Sequence, residues 1–353
     1  MAASKPKTAK TRPGCTWLGC RLGLACLVAV AALAVAYAMW YRPALRPVDP
    51  TARKMMLLQV VSGESSQQLC ADLKAKGLVR DEKATWLYGK VSGRGQRLQA
   101  GYYDVSAAMS ARDLIIAISD GKVAQRKVSV VPGLRIEQVA ARVEKAGLSD
   151  AKSILAEAQT KAFTGEVQME LPTGRTLEGY LYPATYSIAV GKPAHDILLG
   201  MLEAFQSNFA TKYSADIAKT GLGLHKIVTL ASLIEREAKA DAERPIIAGV
   251  IMNRLRQKMK LQIDATVLYA LGHHKTRVLV ADLSVNSPYN TYLYPGLPPG
   301  PICSPGMASL LAAVHPATTP YLFYVANGKG THVFGRTFAE HLANIARIRG
   351  GAR

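Results

Sequence analysis

The sequence predicts an α+β protein in two folded parts behind a single membrane-spanning helix. Three observations carry that reading. From Leu22 to Tyr41 the chain is apolar and uncharged, about the ~20 residues that cross a bilayer. A phrase of strand, glycine turn and helix occurs twice: Val60-Val61-x-Gly63, Gln68 and Gly77-Leu78 return as Val130-Val131-x-Gly133, Gln138 and Gly147-Leu148. Beyond the second copy, long helical patterns lead to a strand pair near the far end of the chain.

The span is fixed by its flanks. Lys5, Lys7, Lys10, Arg12 and Arg21 precede it, and the first acidic residue is Asp49. Trp17, Trp40 and Tyr41 sit near its ends, where aromatic belts form. The positive-inside rule then places the N-terminus in the cytoplasm and the rest outside; Arg42 and Arg46 weaken that asymmetry without reversing it. Ala34-Val-Ala36 and Ala36-Tyr-Ala38 resemble signal-peptidase sites, but the segment is long for a signal sequence and reads as an uncleaved anchor. The division that follows is a basic tail (1–21), the anchor (22–41), a stalk with Pro43, Pro47 and Pro50 (42–55), a small module (56–125) and a larger domain (126–353).

The chain has 353 residues, 49% of them hydrophobic, enough for roughly two domains with sizeable cores. Its net charge of +19 asks for an anionic partner: nucleic acid, phospholipid headgroups or an acidic polymer. Nucleic acid is disfavoured, because the basic residues form no patch interleaved with aromatics and most of the chain is exported. Of five cysteines only Cys70 and Cys303 lie beyond the anchor, and they read as two buried thiols more readily than as one bridge. No C-x-x-C or H-E-x-x-H occurs, and His273-His274 reads as a polar loop, so neither a metal nor another cofactor is expected.

In the first part, Leu57 to Val61 reads as a strand, Gln67 to Lys76 as a helix closed by Gly77, Lys83 to Lys90 as a second helix, Leu98 to Val105 as a strand and Ser110 to Ser119 as a capped helix. The second part holds helices at His195–Asn208, Leu224–Ala240, Ile246–Gln257, Val267–Leu271 and Met307–His315, then a hairpin of 321–326 with 331–334 and a basic helix from Phe338 to Arg349. Two stretches are different. Leu171 to Tyr186 holds two Pro, two Gly and three Tyr around the single carboxylate Glu178, and serves equally a sugar cleft or a core edge. Asn286 to Gly306 carries five prolines between Pro288 and Pro301 with three tyrosines, which excludes helix and central strand and favours a rigid substrate wall over a linker.

In Leu230-Ala-Ser-Leu-Ile-Glu-Arg-Glu-Ala238 an apolar face of Ile227, Leu230, Ala231 and Ile234 runs straight into Glu235, with Glu237 roughly 200° further round. A carboxylate at the border of such a stripe is either a solvated helix edge or a half-buried general acid. Spacing alone leaves both carboxylates in play.

Taken in order, the motifs Glu178-Gly-Tyr-Leu-Tyr-Pro-x-Thr-Tyr, the helix just quoted, Asn253-Arg-Leu, Leu261-Gln-Ile-Asp-Ala-Thr-Val, Tyr289-Asn-Thr-Tyr, Gly296-Leu-Pro-Pro-Gly-Pro-Ile and His332-Val-Phe resemble the YceG-like family of endolytic murein transglycosylases. The likeness runs from about residue 55 to the C-terminus. It implies an inner-membrane anchor, a LysM-like module and an α+β lytic transglycosylase domain in the periplasm. The implied reaction cuts the MurNAc–GlcNAc β-1,4 bond of peptidoglycan without water and leaves 1,6-anhydroMurNAc ends, with Glu235 as the single acid and base. Glu178, Glu237, Asn253, Gln262, Asp264, Tyr289, Asn290, Thr291, Tyr292 and His332 are the candidate substrate-binding residues; a loop-scaffolding role is the equal alternative for Gln262, Asp264 and Tyr289 to Tyr292, and Glu237 is also the alternative acid or a partner of Glu235. Penicillin-binding glycan polymerases are the expected neighbours. Arg254 is expected to meet Asp264 or a peptide-stem carboxylate. The family usually has Asp where Ala184 stands, Pro where Ala265 stands and Asn where Leu342 stands; the first departure removes a carboxylate near Glu178. The competing reading is a glycan-binding scaffold in which Glu235 is structural.

Overall fold

The computed structural model describes residues 16–272, 275 and 278–350; most of the basic tail and the pair His273-His274 lie outside the described residues. It forms two compact units, one reaching Ala124 and the other starting at Gln125.

In the first unit, helix α1 (Thr16–Ala36) continues through a π-turn at Tyr37–Tyr41 into the short α2 (Arg42–Ala44). Leu24–Ala44 is long and apolar enough to cross a membrane, with a mean hydropathy of 2.1. Strand β1 (Met56–Val60), helices α3 (Ser66–Ala75) and α4 (Glu82–Val91), strand β2 (Gly101–Val105) and helix α5 (Ala111–Ser119) complete the unit. The strands pair antiparallel, with Leu58 opposite Tyr103. Ser65 and Ser110 start α3 and α5 with reciprocal capping boxes to Gln68 and Asp113. Leu58, Leu69, Leu73, Leu114 and Ile118 close a core in which each side chain is worth roughly 1.5–3 kcal/mol.

The stretch read as a stalk is fastened down. Ala44 and Leu45 are buried in that same core. Asp49 N donates to Ala107 O at 3.0 Å, and Arg80 donates from Nε and a terminal nitrogen to Pro47 O and Val48 O. Prolines here shape a docked segment, because their unpaired carbonyls find a guanidinium.

The second unit opens with β3 (Gln125–Ser129), α6 (Ile136–Lys145) and α7 (Ala151–Glu157), and β4 (Thr185–Ala189) returns antiparallel to β3 with Lys127 opposite Ser187. Helices α8 (Ala194–Phe205), α9 (Ser214–Thr220), α10 (Leu224–Glu237), α11 (Arg244–Arg256), α12 (Asp264–Ala270) and α13 (Met307–Val314) follow. The hairpin β5 (Phe323–Ala326) and β6 (His332–Gly335) and helix α14 (Phe338–Gly350) end the described chain. The sequence reading lacks α7, α9 and β4; the first two are one-and-a-half to two turns long, and β4 lies across the end of the tyrosine-rich stretch.

Helix α10 is the centre of this unit. Every residue from Ile227 to Ile234 is buried, and the helix packs on α11, α12 and α13. It ends at Glu237, with Ala238 already extended. Two carboxylates thus stand where a fully packed helix emerges from the core. Cys70 and Cys303 are both buried free thiols; burial pushes the Cys70 thiol up to about 12, so it stays protonated and inert.

Candidate active site

Glu235 leaves α10 into a pocket of donors. Its Oε2 accepts from the backbone N–H of Gly306 at 3.0 Å, from Ser309 Oγ at 2.8 Å and from Arg244 at 3.3 Å. Arg244 is buried, donates to Ser309 Oγ as well, and is steadied by Asp241 at 2.9 Å. No hydrogen bond from the described residues reaches Oε1. The side chain keeps 9% of its surface exposed, so one oxygen is fixed and the other remains for an incoming group.

The pocket is built from four places in the chain. Helix α11 begins at Arg244 with Pro245 in its first turn, which projects the guanidinium back towards the end of α10. Ser309 lies in the first turn of α13, and Gly306 caps that helix. The turn Pro132-Gly133 closes the other side: a Cβ at Gly133 would sit 3.9 Å from Glu235 Cγ, and one at Gly306 would press on Pro132 at 3.0 Å. Gly133 N donates to Ser304 O, and Ser304 N donates back to Leu134 O, both at 2.8 Å. Ser232, one turn before Glu235, receives the N–H of Ile302 at 3.1 Å and so ties the proline-rich segment to the same helix. His225 does likewise: its Nε2 lies 2.9 Å from Pro299 O, which can only accept, and its Nδ1 lies 2.9 Å from Tyr180 Oη.

Glu237 faces a different environment. Its Oε2 accepts from Tyr324 Oη at 2.9 Å, while Tyr292 Oη donates to the neighbouring Asp264 at 2.6 Å. Burial raises the Glu237 carboxyl above its ordinary range, the charge of Asp264 adds to that rise, and Tyr324 opposes it. The end of α10 therefore supplies one carboxylate framed by donors and another framed by tyrosines and a second acid.

Several expected ligands are occupied by the protein itself. Asn253 Nδ2 donates to Thr319 O and Tyr321 O, and its oxygen accepts from Arg256. Asn290 Nδ2 donates to Leu283 O and Val285 O; Thr291 Oγ1 receives Ile263 N–H and meets Thr266. All three are buried and hold loops together. Arg254 donates to Leu322 O, Lys260 O and Leu261 O and stacks on Phe323, and so neither pairs with Asp264 nor stands free for a stem carboxylate. His332 is bound through Nδ1 and its backbone N–H to Glu243.

Glu178 is also internal, 4% exposed. Oε2 receives the N–H of Ile136, the first residue of α6, at 3.2 Å, and Oε1 is buried without a partner. Desolvation pushes this carboxyl up to about 8. A Cβ on Gly179 (φ +85°) would meet Pro301 at 2.4 Å, so this segment wedges the start of α6 against the proline-rich run. Gln262 and Asp264 are exposed, and Tyr289 and Tyr292 half-buried. Gln262 holds a left-handed φ of +55°, a strain of roughly 1–3 kcal/mol for a non-glycine residue. These four keep part of their surface open to solvent. Ala184 gives its carbonyl to Val130 N at 2.8 Å, a role that does not depend on the side chain. Sequence reasoning missed Arg244, Ser309, Gly306 and Gly133; the signals were a buried-helix arginine beside a proline and a serine alone in the apolar run Met307–Val314.

The site thus joins a helix-ending carboxylate fixed on one oxygen to an α+β unit. The YceG-like family model matches residues 58–347, and the chain belongs to that family. It is 36% identical to an endolytic murein transglycosylase of Bacillus subtilis over 310 residues, 84% of this chain and 86% of the relative. It is 29% identical to one from Streptococcus pneumoniae over 332 residues, 86% of this chain and 60% of that longer protein. Among solved structures, a yceG-like protein from Listeria monocytogenes superposes with a TM-score of 0.57 at 33% identity, covering 83% of this chain and 99% of the other.

Proposed function

We propose that the protein is a peptidoglycan lytic transglycosylase in which Glu235 is the acid and then the base. The observation that carries this is the asymmetry of its carboxyl: three donors on Oε2, none on Oε1. A proton on Oε1 passes to the oxygen linking MurNAc C1 to GlcNAc; the C1–O bond breaks and GlcNAc leaves with a 4-hydroxyl. The carboxylate that remains is stabilised by the Gly306 N–H, Ser309 and Arg244, groups already in place before the charge forms. It then takes the proton of the MurNAc 6-hydroxyl as O6 bonds to C1. No water is consumed, Glu235 returns to its starting state, and one carboxyl suffices where a hydrolase uses two.

The solvent-accessible Gln262, Asp264, Tyr289 and Tyr292 fit contact with N-acetyl and hydroxyl groups and stacking on sugar faces. The Leu24–Ala44 helix serves as an inner-membrane anchor with the basic N-terminus in the cytoplasm and both units in the periplasm. The β–α–α–β order of the first unit fits a LysM-like module for glycan, and polymerases that make nascent strands fit as neighbours.

Glu237 is the second reading, favoured by its raised carboxyl. Digestion of purified peptidoglycan by the full chain in detergent decides. Glu235→Gln should end fragment release while Glu237→Gln retains it; the reverse result would transfer the role to Glu237. Sedimentation with wall material and no fragments from wild type would leave a scaffold.

A further inference from the structure

Arg42 and Arg46 stand at the C-terminal end of the anchor, against the charge bias that orients it, and the catalysis proposed for the second unit makes no use of them. Together with Arg112 they line a cavity of about 440 Å³ beside Tyr37 and Ser110. Backbone bonds assemble it: Leu45 N donates to Tyr41 O, and Ala111 N donates to Leu45 O at 3.2 Å, which brings the start of α5 to the foot of the anchor. No carboxylate is among the described residues that line this cavity; Asp113 lies behind it, accepting from the lining Ser110 at 2.6 Å. Among the described residues none of the three guanidiniums forms an ion pair; Arg112 lies 5.7 Å over the ring of Tyr88. Three arginines around one cleft with no acid among its lining residues match a phosphate.

The neighbouring surface says which phosphate. Helix α4 packs inward through Ala84, Thr85 and Gly89. Its other face carries Lys83, Trp86, Leu87, Lys90 and Val91 at helical spacing, with Val91 77% exposed and the Lys90 ammonium 4.9 Å from the Trp86 ring. Leu87 and Val91 share an apolar cleft with Leu33, Ala36, Tyr37 and Trp40, so the end of α4 lies beside the last turns of the spanning helix. Ala36 is eight residues before the end of that helix, roughly 12 Å along its axis. A helix with an apolar face and flanking lysines at that depth sits in the boundary between headgroups and acyl chains.

We propose that the foot of the first unit is a phospholipid-binding surface, in which Arg42, Arg46 and Arg112 take the phosphate of an anionic headgroup and Leu87 and Val91 enter the acyl boundary. The proposal rests on reading Leu24–Ala44 as a membrane anchor. It makes the module a part of the membrane surface, held by contacts other than the anchor alone.

The test uses the full chain reconstituted in vesicles of phosphatidylcholine with or without phosphatidylglycerol, and flotation first establishes that the anchor holds. In the Trp17→Phe, Trp40→Phe background, Trp86 fluorescence should be quenched by lipids brominated near the glycerol end of the acyl chain. Unquenched Trp86 in chains that float overturns the proposal, whereas chains that do not float overturn the anchor and the proposal with it. Native mass spectrometry from detergent should show phosphatidylglycerol retained about tenfold over phosphatidylcholine. Arg42→Gln, Arg46→Gln, Arg112→Gln combined should remove that preference with flotation intact. Equal retention of both lipids, an unchanged preference in the triple variant, or displacement of the lipid by millimolar inorganic phosphate would each contradict a headgroup site.

Discussion

The two copies of the strand–turn–helix phrase fold alike and are used differently. In the first, β1, α3, α4 and β2 follow one another, Gly63 turns at φ +82° and Gly77 closes α3 at φ +69°. In the second, β3, α6, α7 and β4 follow in the same order, with Gly133 at +83° and Gly147 at +71°. The backbone code is one code. The surroundings are not. Nothing lies within 4 Å of a Cβ built on Gly63, whereas Gly133 faces Glu235 and Arg236 and is tied to Ser304. Helix α3 is capped by the exposed Ser65, but the first N–H of α6 is received by the buried Glu178, which arrives from the long insertion before β4. A turn that is free in one copy has become a wall beside Glu235 in the other.

The largest effect expected on that wall is at the carboxylate it encloses. Glu235→Gln should lower the rate of fragment release by about 10³-fold with the melting temperature little changed, as read by chromatography of released muropeptides and by calorimetry. Next comes Arg244→Gln, which removes one donor to Oε2 and leaves Ser309 with one partner fewer; a loss of about 10²-fold in kcat with a smaller change in KM is expected.

These two residues also show how far the sequence could be read. The apolar face of α10 and the emergence of Glu235 from it are local, so spacing sufficed. Arg244, Gly306 and Ser309 meet Glu235 across 9, 71 and 74 residues, and only the packing of α11 and α13 on α10 brings them there. The proline-rich run was legible as neither helix nor central strand, but the internal partners of its polar side chains were not. Where prolines remove backbone donors, buried backbone groups must be met by side chains: Asn290 donates to the carbonyls of Leu283 and Val285, and Thr291 receives the N–H of Ile263. Asn253 likewise donates to the carbonyls of Thr319 and Tyr321, partners 66 and 68 residues away that spacing does not reveal. The helices of the first unit were legible because Ser65, Asp81 and Ser110 cap them visibly, whereas the fastening of residues 42–55 depends on Arg80 from a distant loop.

The two glycine turns offer the most direct contrast. Gly63→Ala and Gly133→Ala impose the same left-handed strain and should each cost roughly 1 kcal/mol of stability in their own unit. Only Gly133→Ala should slow cleavage, by about tenfold, because the shifted turn moves Ser304 and the ground beside Glu235. Equal activity in both variants would mean that the second turn is no part of the pocket.

The last effect bears on stability alone, through its pH dependence. In the folded state Glu178 keeps its proton up to about pH 8, whereas in the unfolded chain it releases it near its ordinary 4.5. The folded form therefore binds more protons between these values, and stability falls as pH rises from about 4.5 through about 8. Glu178→Gln should flatten this slope, gaining roughly 1–3 kcal/mol relative to wild type at pH 8 against pH 5 in denaturant titrations. A slope unchanged by the substitution would show that the carboxyl is ionised where it lies.

The central claim is that one carboxylate, held on one oxygen, cleaves the glycan without water. Digestion of peptidoglycan by the full chain in ¹⁸O-labelled water, followed by mass analysis, tests it most directly. The account predicts fragments lighter by one water than hydrated ends, free of ¹⁸O and absent with Glu235→Gln. Reducing ends that carry ¹⁸O, or anhydro fragments that persist in the variant, would contradict it.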